Sequence, residues 1–187
     1  TAESTTVDKY AHTILTLDNF QQLRFSDPRK FGRVYLVRAA EEITARLGPE
    51  PLSKRFTSNR FASSLAKRKR MLKPLLLDQS FLAGMGNIYT DEALHLAGIH
   101  PVTRSDMLTP AQARLLWRSL RRVLRDGIRN NGASIDWVYK GGRQQHHFHV
   151  YGRRGDPCHR CGLPITRTTV AQRGTYFCPG CQSEHKH

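Results

Sequence analysis

The carboxy-terminal part of the chain contains two cysteine pairs, Cys158-His-Arg-Cys161 and Cys178-Pro-Gly-Cys181. The sixteen residues between the two pairs are enough for a β-hairpin, and each pair can direct two thiolates toward one ion. The pattern predicts one structural Zn²⁺ bound by all four cysteines, because four protein ligands leave no open position for catalysis. His159 is a less favoured ligand than any of the cysteines.

The alternative for four cysteines is a pair of disulfides in a secreted domain. Residues 1–8 are polar and lack the apolar core of a signal peptide. No stretch of the sequence reaches the roughly 18 apolar residues that span a bilayer. We therefore expect an intracellular protein of the cytoplasm or nucleoid, in which the thiols bind metal.

The charge of the chain favours a polyanionic partner. There are 30 Lys and Arg residues against 15 Asp and Glu residues, which gives a formal net charge of +15. An excess of this size suits nucleic acid, since each phosphate contact releases counterions. Basic clusters at 67–70 and 118–125 fall on predicted helices and add to the excess. A ribosomal-type protein and a protein that binds anionic membranes are the alternatives from charge alone.

The first 38 residues predict β-structure. Alternating apolar residues indicate strands over 12–18, 21–26 and 33–37, with turns at Asn19 and at Asp27-Pro28. Three strands with so short a lead-in would leave edges unpaired and one face exposed. We therefore expect the sequence to begin inside a β-domain.

Residues from 39 onward predict helices. The expected helices cover 41–47, 56–78 in two pieces with Pro74 at a kink or early in the second, 87–97 ended by Gly98, and 109 to about 131. Thr109 can cap the last helix in a capping box with Gln112. Its apolar face is predicted to consist of Leu116, Leu120, Val123, Leu124 and Ile128.

Three motifs then occur in order along the chain. They are Asp27-Pro-Arg-Lys-Phe-Gly32, the segment from Asp78 to Glu92 with its Gly86-Asn-Ile-Tyr89 core, and the segment from Val150 through the cysteine hairpin with Gln172-Arg-Gly-Thr-Tyr-Phe-Cys178. Together they resemble the formamidopyrimidine-DNA glycosylase and endonuclease VIII family, from about Asp8 to Gln182. The resemblance implies a helix–two-turn–helix module and a zinc finger, both in contact with double-stranded DNA that carries a damaged base or an abasic site.

The resemblance also implies roles for single residues. Asn87 corresponds to an asparagine that binds a backbone phosphate, and Arg173 to a finger-tip arginine that contacts the phosphates flanking the lesion. Arg173 is also the one candidate catalytic residue, in the second elimination step. Arg29 and Phe31 correspond to residues that fill the gap left by a flipped nucleotide, and Lys69 to a DNA-contacting lysine. The DNA-contacting positions are therefore Arg29, Lys30, Phe31, Lys69, Asn87 and Arg173.

Asn87 also has an interpretation from the residues alone. It follows the Gly84-Met-Gly86 turn and opens a helix, where free N–H groups attract phosphate. The alternative is a simple helix cap. The segment 134–149 corresponds to the loop that covers the flipped base, but Gln144-Gln-His-His147 departs from the pattern of the 8-oxoguanine branch, so the sequence does not select a lesion.

The resemblance implies that the catalytic residues lie at the amino terminus of proteins in this family. There a proline attacks C1′ of the damaged nucleoside to form a Schiff base, a glutamate acts as general acid, and a lysine of the β-sandwich assists. This sequence begins Thr1-Ala2-Glu3. We therefore expect a fragment that is inactive alone, and a structural or DNA-adjacent role for Lys73 instead of a Schiff-base role.

The sequence thus predicts an α+β fold. Strands of a truncated amino-terminal β-sandwich should occupy 1–38, a helix–two-turn–helix domain with the lesion-covering loop 39–150, and a four-cysteine zinc finger 151–187. The predicted function is the DNA-binding portion of a bifunctional glycosylase and abasic-site lyase for oxidised bases, acting as a monomer. The alternatives are a non-catalytic module that binds damaged DNA and a zinc-ribbon protein that binds RNA.

Overall fold

The computed structural model describes residues 8–134 and 141–184. It divides the chain into two compact units, Thr1–Ala45 and Arg46–His187. Within the described ranges, no helix has both the length and the apolar character needed to cross a membrane.

The first unit is built on one antiparallel hairpin. Strand β1 (Ala11–Thr16) pairs with strand β2 (Gln22–Ser26), and the connecting turn closes through a hydrogen bond from Leu17 N to Gln21 O of 2.8 Å. A short helix, α1 (Glu41–Thr44), follows. It ends earlier than the sequence predicted.

The predicted third strand, 33–37, is wrong. These residues pair with no strand in the part of the chain that the structure describes, and Val34 and Leu36 are exposed. The alternation of apolar residues is a strand preference, and a strand forms only where a neighbouring backbone supplies hydrogen bonds.

The described residues of the second unit form four α-helices and one hairpin. The helices are α2 (Ser58–Ala66), α3 (Leu72–Leu77), α4 (Asn87–Ala97) and α5 (Pro110–Arg129). Helix α4 packs against both α5 and the hairpin. Helix α2 also packs against α5. The core between them is a continuous apolar cluster that includes Phe56, Phe61, Leu65, Leu72, Leu75, Leu76, Leu82, Leu94, Leu116 and Leu120.

The ends of α4 and α5 follow from local signals, as predicted. Gly98 ends α4 in the left-handed conformation, with φ of 67°. The Thr109 hydroxyl accepts from Gln112 N while the Gln112 side chain accepts from Thr109 N, which completes the capping box at the start of α5. Pro74 lies early in α3, so the helical segment 56–78 breaks before the proline and not at it.

One predicted core residue of α5 is exposed. Leu116, Leu120 and Val123 are buried and Leu124 is partly buried, but Ile128 is 65% exposed. The buried face continues through Gly127, where a Cβ would lie 2.5 Å from the Tyr89 hydroxyl. Glycine has no apolar side chain, so the pattern of apolar residues indicated the adjacent Ile128 instead of Gly127.

The hairpin of the second unit pairs β3 (Thr166–Val170) with β4 (Arg173–Phe177). Its two-residue turn places Ala171 and Gln172 at φ of 45° and 61°, the left-handed conformation that such tight turns require. Residues 135–140 of the predicted lesion-covering loop lie outside the described residues. The rest includes a single 3-10 turn, Gln144–His147.

Candidate nucleic-acid interface and metal centre

The four cysteine sulfur atoms lie within 4.8 Å of one another. Cys158 Sγ is 3.9 Å from Cys181 Sγ, and Cys161 Sγ is 3.3 Å from Cys178 Sγ, without a disulfide between any of them. A tetrahedral Zn²⁺ with sulfur ligands at about 2.3 Å separates its ligands by about 3.8 Å. The donor set and its spacing therefore fit one structural zinc ion.

The hairpin depends on that site for its stability. Its apolar cluster consists of little more than Val150, Ile165 and the buried cysteines Cys158 and Cys178. A cluster of this size cannot offset the entropy of ordering the segment, so metal binding supplies folding free energy. His159 lies outside the four-sulfur group, and its Nδ1 is 3.3 Å from Arg153 Nη1.

The amino terminus of α4 is open to an anion. Gly86 occupies the N-cap position and has no side chain to cap the helix, so the N–H groups of the first turn receive no side-chain cap. The Asn87 side chain does not cap the helix either, since its Nδ2 donates to Gly174 O at 3.0 Å. Asn87 Oδ1 is buried without a partner among the described residues. The helix-cap alternative for Asn87 is therefore wrong.

A buried lysine joins α3, α4 and the hairpin. Lys73 Nζ donates to Asp91 Oδ1 at 2.6 Å and to Gly174 O at 2.9 Å. Asp91 Oδ2 accepts from Tyr176 N at 2.9 Å. The Gly174 carbonyl thus accepts hydrogen bonds from both Lys73 and Asn87. Side chains from two helices therefore fix the hairpin to the start of α4.

Burial governs the ionisation of this pair. Both side chains are 0% exposed. Burial raises the pKa of Asp91 to about 6, against the opposing attraction of Lys73. Burial likewise lowers the pKa of Lys73, although Asp91 favours its charged form. A lysine enclosed in this way has no path to a sugar carbon, which agrees with the structural role predicted for Lys73.

Arg173 stands at the tip of the hairpin. It is the first residue of β4, directly after the turn, and it is exposed. Its neighbour in sequence is Gly174, whose carbonyl is held by Lys73 and Asn87. The structure therefore brings the predicted phosphate ligand Asn87 and the predicted finger-tip residue Arg173 to one surface, which we call the grip surface: the first turn of α4 with Arg173.

Glu92 fixes the segment that leads into the zinc hairpin. The residue is only 3% exposed, and its carboxylate accepts hydrogen bonds from the backbone N–H groups of His149, Val150 and Tyr151 at 2.8, 2.9 and 2.9 Å. Sequence reasoning missed both Asp91 and Glu92. The available signal was a pair of adjacent acids in the middle of a predicted helix of a basic chain.

The remaining predicted DNA-contacting residues are exposed. Lys69 lies in the second unit, between α2 and α3. Arg29, Lys30 and Phe31 lie in the first unit on a turn that Asp27 organises, with Asp27 Oδ1 accepting from Arg29 N at 3.0 Å. Phe31 is 84% exposed, and other apolar side chains of the first unit such as Phe20 and Leu36 are also exposed, so its exposure alone does not indicate a partner.

Comparison with known families assigns both parts of the second unit. Residues 47–138 match the formamidopyrimidine-DNA glycosylase H2TH domain, and residues 155–183 match a zinc finger found in Fpg and IleRS. Formamidopyrimidine-DNA glycosylases of Herpetosiphon aurantiacus and Chloroflexus aurantiacus are 46% and 48% identical to the chain. The alignments cover 94% and 93% of this chain and 67% and 65% of those proteins.

Solved structures agree with the sequence relatives. The MutM (Fpg) protein from Thermus thermophilus superposes with a TM-score of 0.88 at 42% identity, covering 97% of this chain and 71% of that one. The Lactococcus lactis Fpg bound to abasic-site DNA gives a TM-score of 0.89 at 35% identity, covering 98% and 70%. This chain spans about two thirds of the length of its curated relatives.

A helical domain of the H2TH type joined to a four-cysteine zinc finger defines a class of DNA-repair proteins. Within that class, the chain belongs to the formamidopyrimidine-DNA glycosylase family. The predicted family, the α+β fold and the single structural zinc are confirmed.

Proposed function

We propose that this chain is the DNA-binding part of a bifunctional DNA glycosylase and abasic-site lyase that removes oxidised bases in base-excision repair. Its partner is double-stranded DNA with a damaged base or an abasic site. The observation that carries the proposal is the grip surface, where an uncapped helix terminus, Asn87 and Arg173 are held together through Gly174. Helix N–H groups and a guanidinium are both ligands for phosphate.

The relatives support this substrate class. Lactococcus lactis Fpg has been solved with abasic-site DNA and, as a variant, with DNA containing Fapy-dG. MutM has been solved with DNA containing a carbocyclic 8-oxo-G. The net charge of +15 supports the same class of partner, because binding to duplex DNA strengthens with each phosphate that is neutralised.

Individual roles follow from position. Asn87 and Arg173 bind phosphates at the lesion, and Lys69 adds a further backbone contact. Phe31 enters the base stack, Arg29 faces the orphaned base, and Lys30 contacts the DNA beside them. Arg173 also takes part in the second elimination step, since a guanidinium beside a departing phosphate stabilises its charge. The protein acts where cellular DNA is, in the cytoplasm or nucleoid.

A non-catalytic module that binds damaged DNA is the second candidate. Lys73 is fully buried and hydrogen-bonded, which removes it from the amines of this chain that could react at a sugar carbon. The two candidates share the grip surface and differ in whether these residues include an amine that reacts at C1′.

The test is a binding titration with borohydride trapping on the same samples. The chain is titrated with a duplex that carries one abasic site, with the undamaged duplex, and with a structured RNA of equal charge. We expect preference for the abasic duplex and no covalent adduct. An adduct would place a competent amine within these residues, and preference for RNA would contradict the proposed function.

A further inference from the structure

Helix α5 carries a row of exposed arginines that the grip surface does not use. Successive members are four, four, three and four residues apart, so at 3.6 residues per turn they point within a sector of about 80°. At 1.5 Å per residue the row is about 22 Å long. We call this set the arginine row; its members are Arg114, Arg118, Arg122, Arg125 and Arg129.

The arginine row faces away from the core of the second unit. The residues that α5 buries point in the opposite direction around the helix, and α4 and α2 pack on that buried face. The buried positions are Ala113, Leu116, Ser119, Leu120, Val123 and Gly127. Since α4 lies against the buried face, the arginine row points away from the helix that carries Asn87.

Little negative charge compensates the row. Asp126 forms ion pairs with Arg122, at 3.8 Å, and with Arg129, whose side chains are nevertheless 70% and 74% exposed. Among the residues that the structure describes, no carboxylate lies within ion-pair distance of Arg114, Arg118 or Arg125. Like charges at helical spacing repel one another, so the row costs the isolated fold stability and gains from an anionic partner.

The chemistry of the row favours phosphate. Every member is arginine, whose planar fork binds phosphate oxygens in pairs. Insertion into a lipid surface requires a free apolar helix face, and the apolar face of α5 is buried in the core. A straight row of about 22 Å matches about six base pairs of duplex DNA at 3.4 Å per step.

We propose that the arginine row is a second DNA-binding surface, which holds the phosphate backbone of a second duplex segment without reading its bases. The row consists of arginines alone on an exposed face of one helix, and the arginine fork binds phosphate oxygens in pairs, so we assign its contacts to the backbone. One chain then bridges two duplex segments, one on the grip surface and one on the row. The second segment is independent of damage, whereas the first rests on the proposed function.

The test compares two triple variants with equal loss of charge. The first replaces three unpaired members of the row, Arg114→Gln, Arg118→Gln and Arg125→Gln. The matched control replaces three exposed arginines elsewhere in the second unit, Arg46→Gln, Arg55→Gln and Arg60→Gln. Circular dichroism and urea unfolding establish that both variants fold.

The first measurement is titration of each chain with a short duplex that carries one abasic-site analogue. It reports on the grip surface, and we expect both variants to stay within about threefold of the unsubstituted chain. Absence of binding by the unsubstituted chain would contradict the proposed function, and the salt dependence of binding to the undamaged duplex would then test the row alone.

The second measurement is energy transfer between a donor-labelled abasic duplex and an acceptor-labelled undamaged duplex, with sedimentation velocity giving the stoichiometry. We expect one unsubstituted chain to hold two duplexes. Energy transfer should fall at least tenfold in the row variant and should be retained in the control variant. The affinity of the row variant for the undamaged duplex should also depend less on salt. The slope of log affinity against log salt concentration should be shallower by about three than for the unsubstituted chain. Equal losses in both variants, a complex with only one duplex, or a second site that prefers structured RNA would overturn the proposal.

Discussion

Lys73 Nζ lies 2.6 Å from Asp91 Oδ1, and both side chains are fully buried. The same ammonium donates to the Gly174 carbonyl next to Arg173, while the second oxygen of Asp91 holds Tyr176 N. An ion pair in the helical core therefore fixes the position of an exposed arginine on a zinc hairpin. The orientation of the grip surface depends on residues that no DNA can touch.

Removing one partner of this pair should be severe. We expect Lys73→Met and Asp91→Asn each to lower the free energy of unfolding by about 3–5 kcal/mol, because each leaves an uncompensated buried charge. The double variant should cost clearly less than the sum, since no charge is then buried. Urea unfolding of the four proteins measures the coupling, and additive losses would show that the two residues do not act as a pair.

Substitution within the grip surface should weaken DNA binding. We expect Asn87→Ala and Arg173→Ala each to reduce affinity for an abasic-site duplex by about 1–3 kcal/mol, since each removes a phosphate ligand. Fluorescence anisotropy at low salt measures the effect, with Arg46→Ala as a control for loss of one exposed charge. Unchanged affinity in either variant would remove that residue from the proposed surface.

Removal of zinc should unfold more than the cysteine loops. The hairpin supplies the Gly174 carbonyl to Lys73 and Asn87 and the Tyr176 N–H to Asp91, so its loss leaves these buried groups without partners. We expect chelation to melt the region beyond Asp156, to abolish the near-UV signal of Tyr176, and to destabilise the helical core. A metal-stripped chain that keeps its near-UV spectrum and its DNA affinity would contradict the structural role of the metal.

Glu92 should control the order of the segment before the hairpin. Replacing its carboxylate by the amide in Glu92→Gln keeps the size but weakens acceptance from three backbone N–H groups. We expect a loss of about 1.5–3 kcal/mol, the range for hydrogen bonds to a charged group. Limited proteolysis should cut faster at Arg143 and Arg153, whereas an unchanged cleavage rate would show that Glu92 does not order this segment.

Local signals allowed much of the fold to be predicted from the sequence. The ends of α4 and α5 are set by Gly98 and by the Thr109 capping box, and the four cysteines define the hairpin by spacing alone. Features that depend on distant partners were not predictable in the same way. Residues 33–37 have strand character but no described strand beside them, and Gly127 takes the packed position expected for Ile128.

The residues of the candidate site also differ in whether local signals or distant partners define them. Asn87 and Arg173 were identified from motifs, and these motifs lie on short segments with strong turn signals. Asp91 and Glu92 were not recognised, and Lys73 was given a structural or DNA-adjacent role without its partner, because a charged residue in sequence gives no sign that it is buried. Its burial is tolerated only because tertiary structure brings an opposite charge or a set of N–H groups to it.

Neutralising single phosphates in the DNA tests whether Arg173 contacts the phosphates beside the lesion. Duplexes with one abasic-site analogue carry a methylphosphonate at one flanking phosphate or at a distant one, and each is titrated with the unsubstituted chain and with Arg173→Ala. The grip surface predicts that the flanking substitution weakens binding of the unsubstituted chain by about 1–3 kcal/mol and has little further effect on Arg173→Ala. Equal losses in both proteins, or equal effects of flanking and distant substitutions, would contradict the assignment of Arg173 to the phosphates of the lesion.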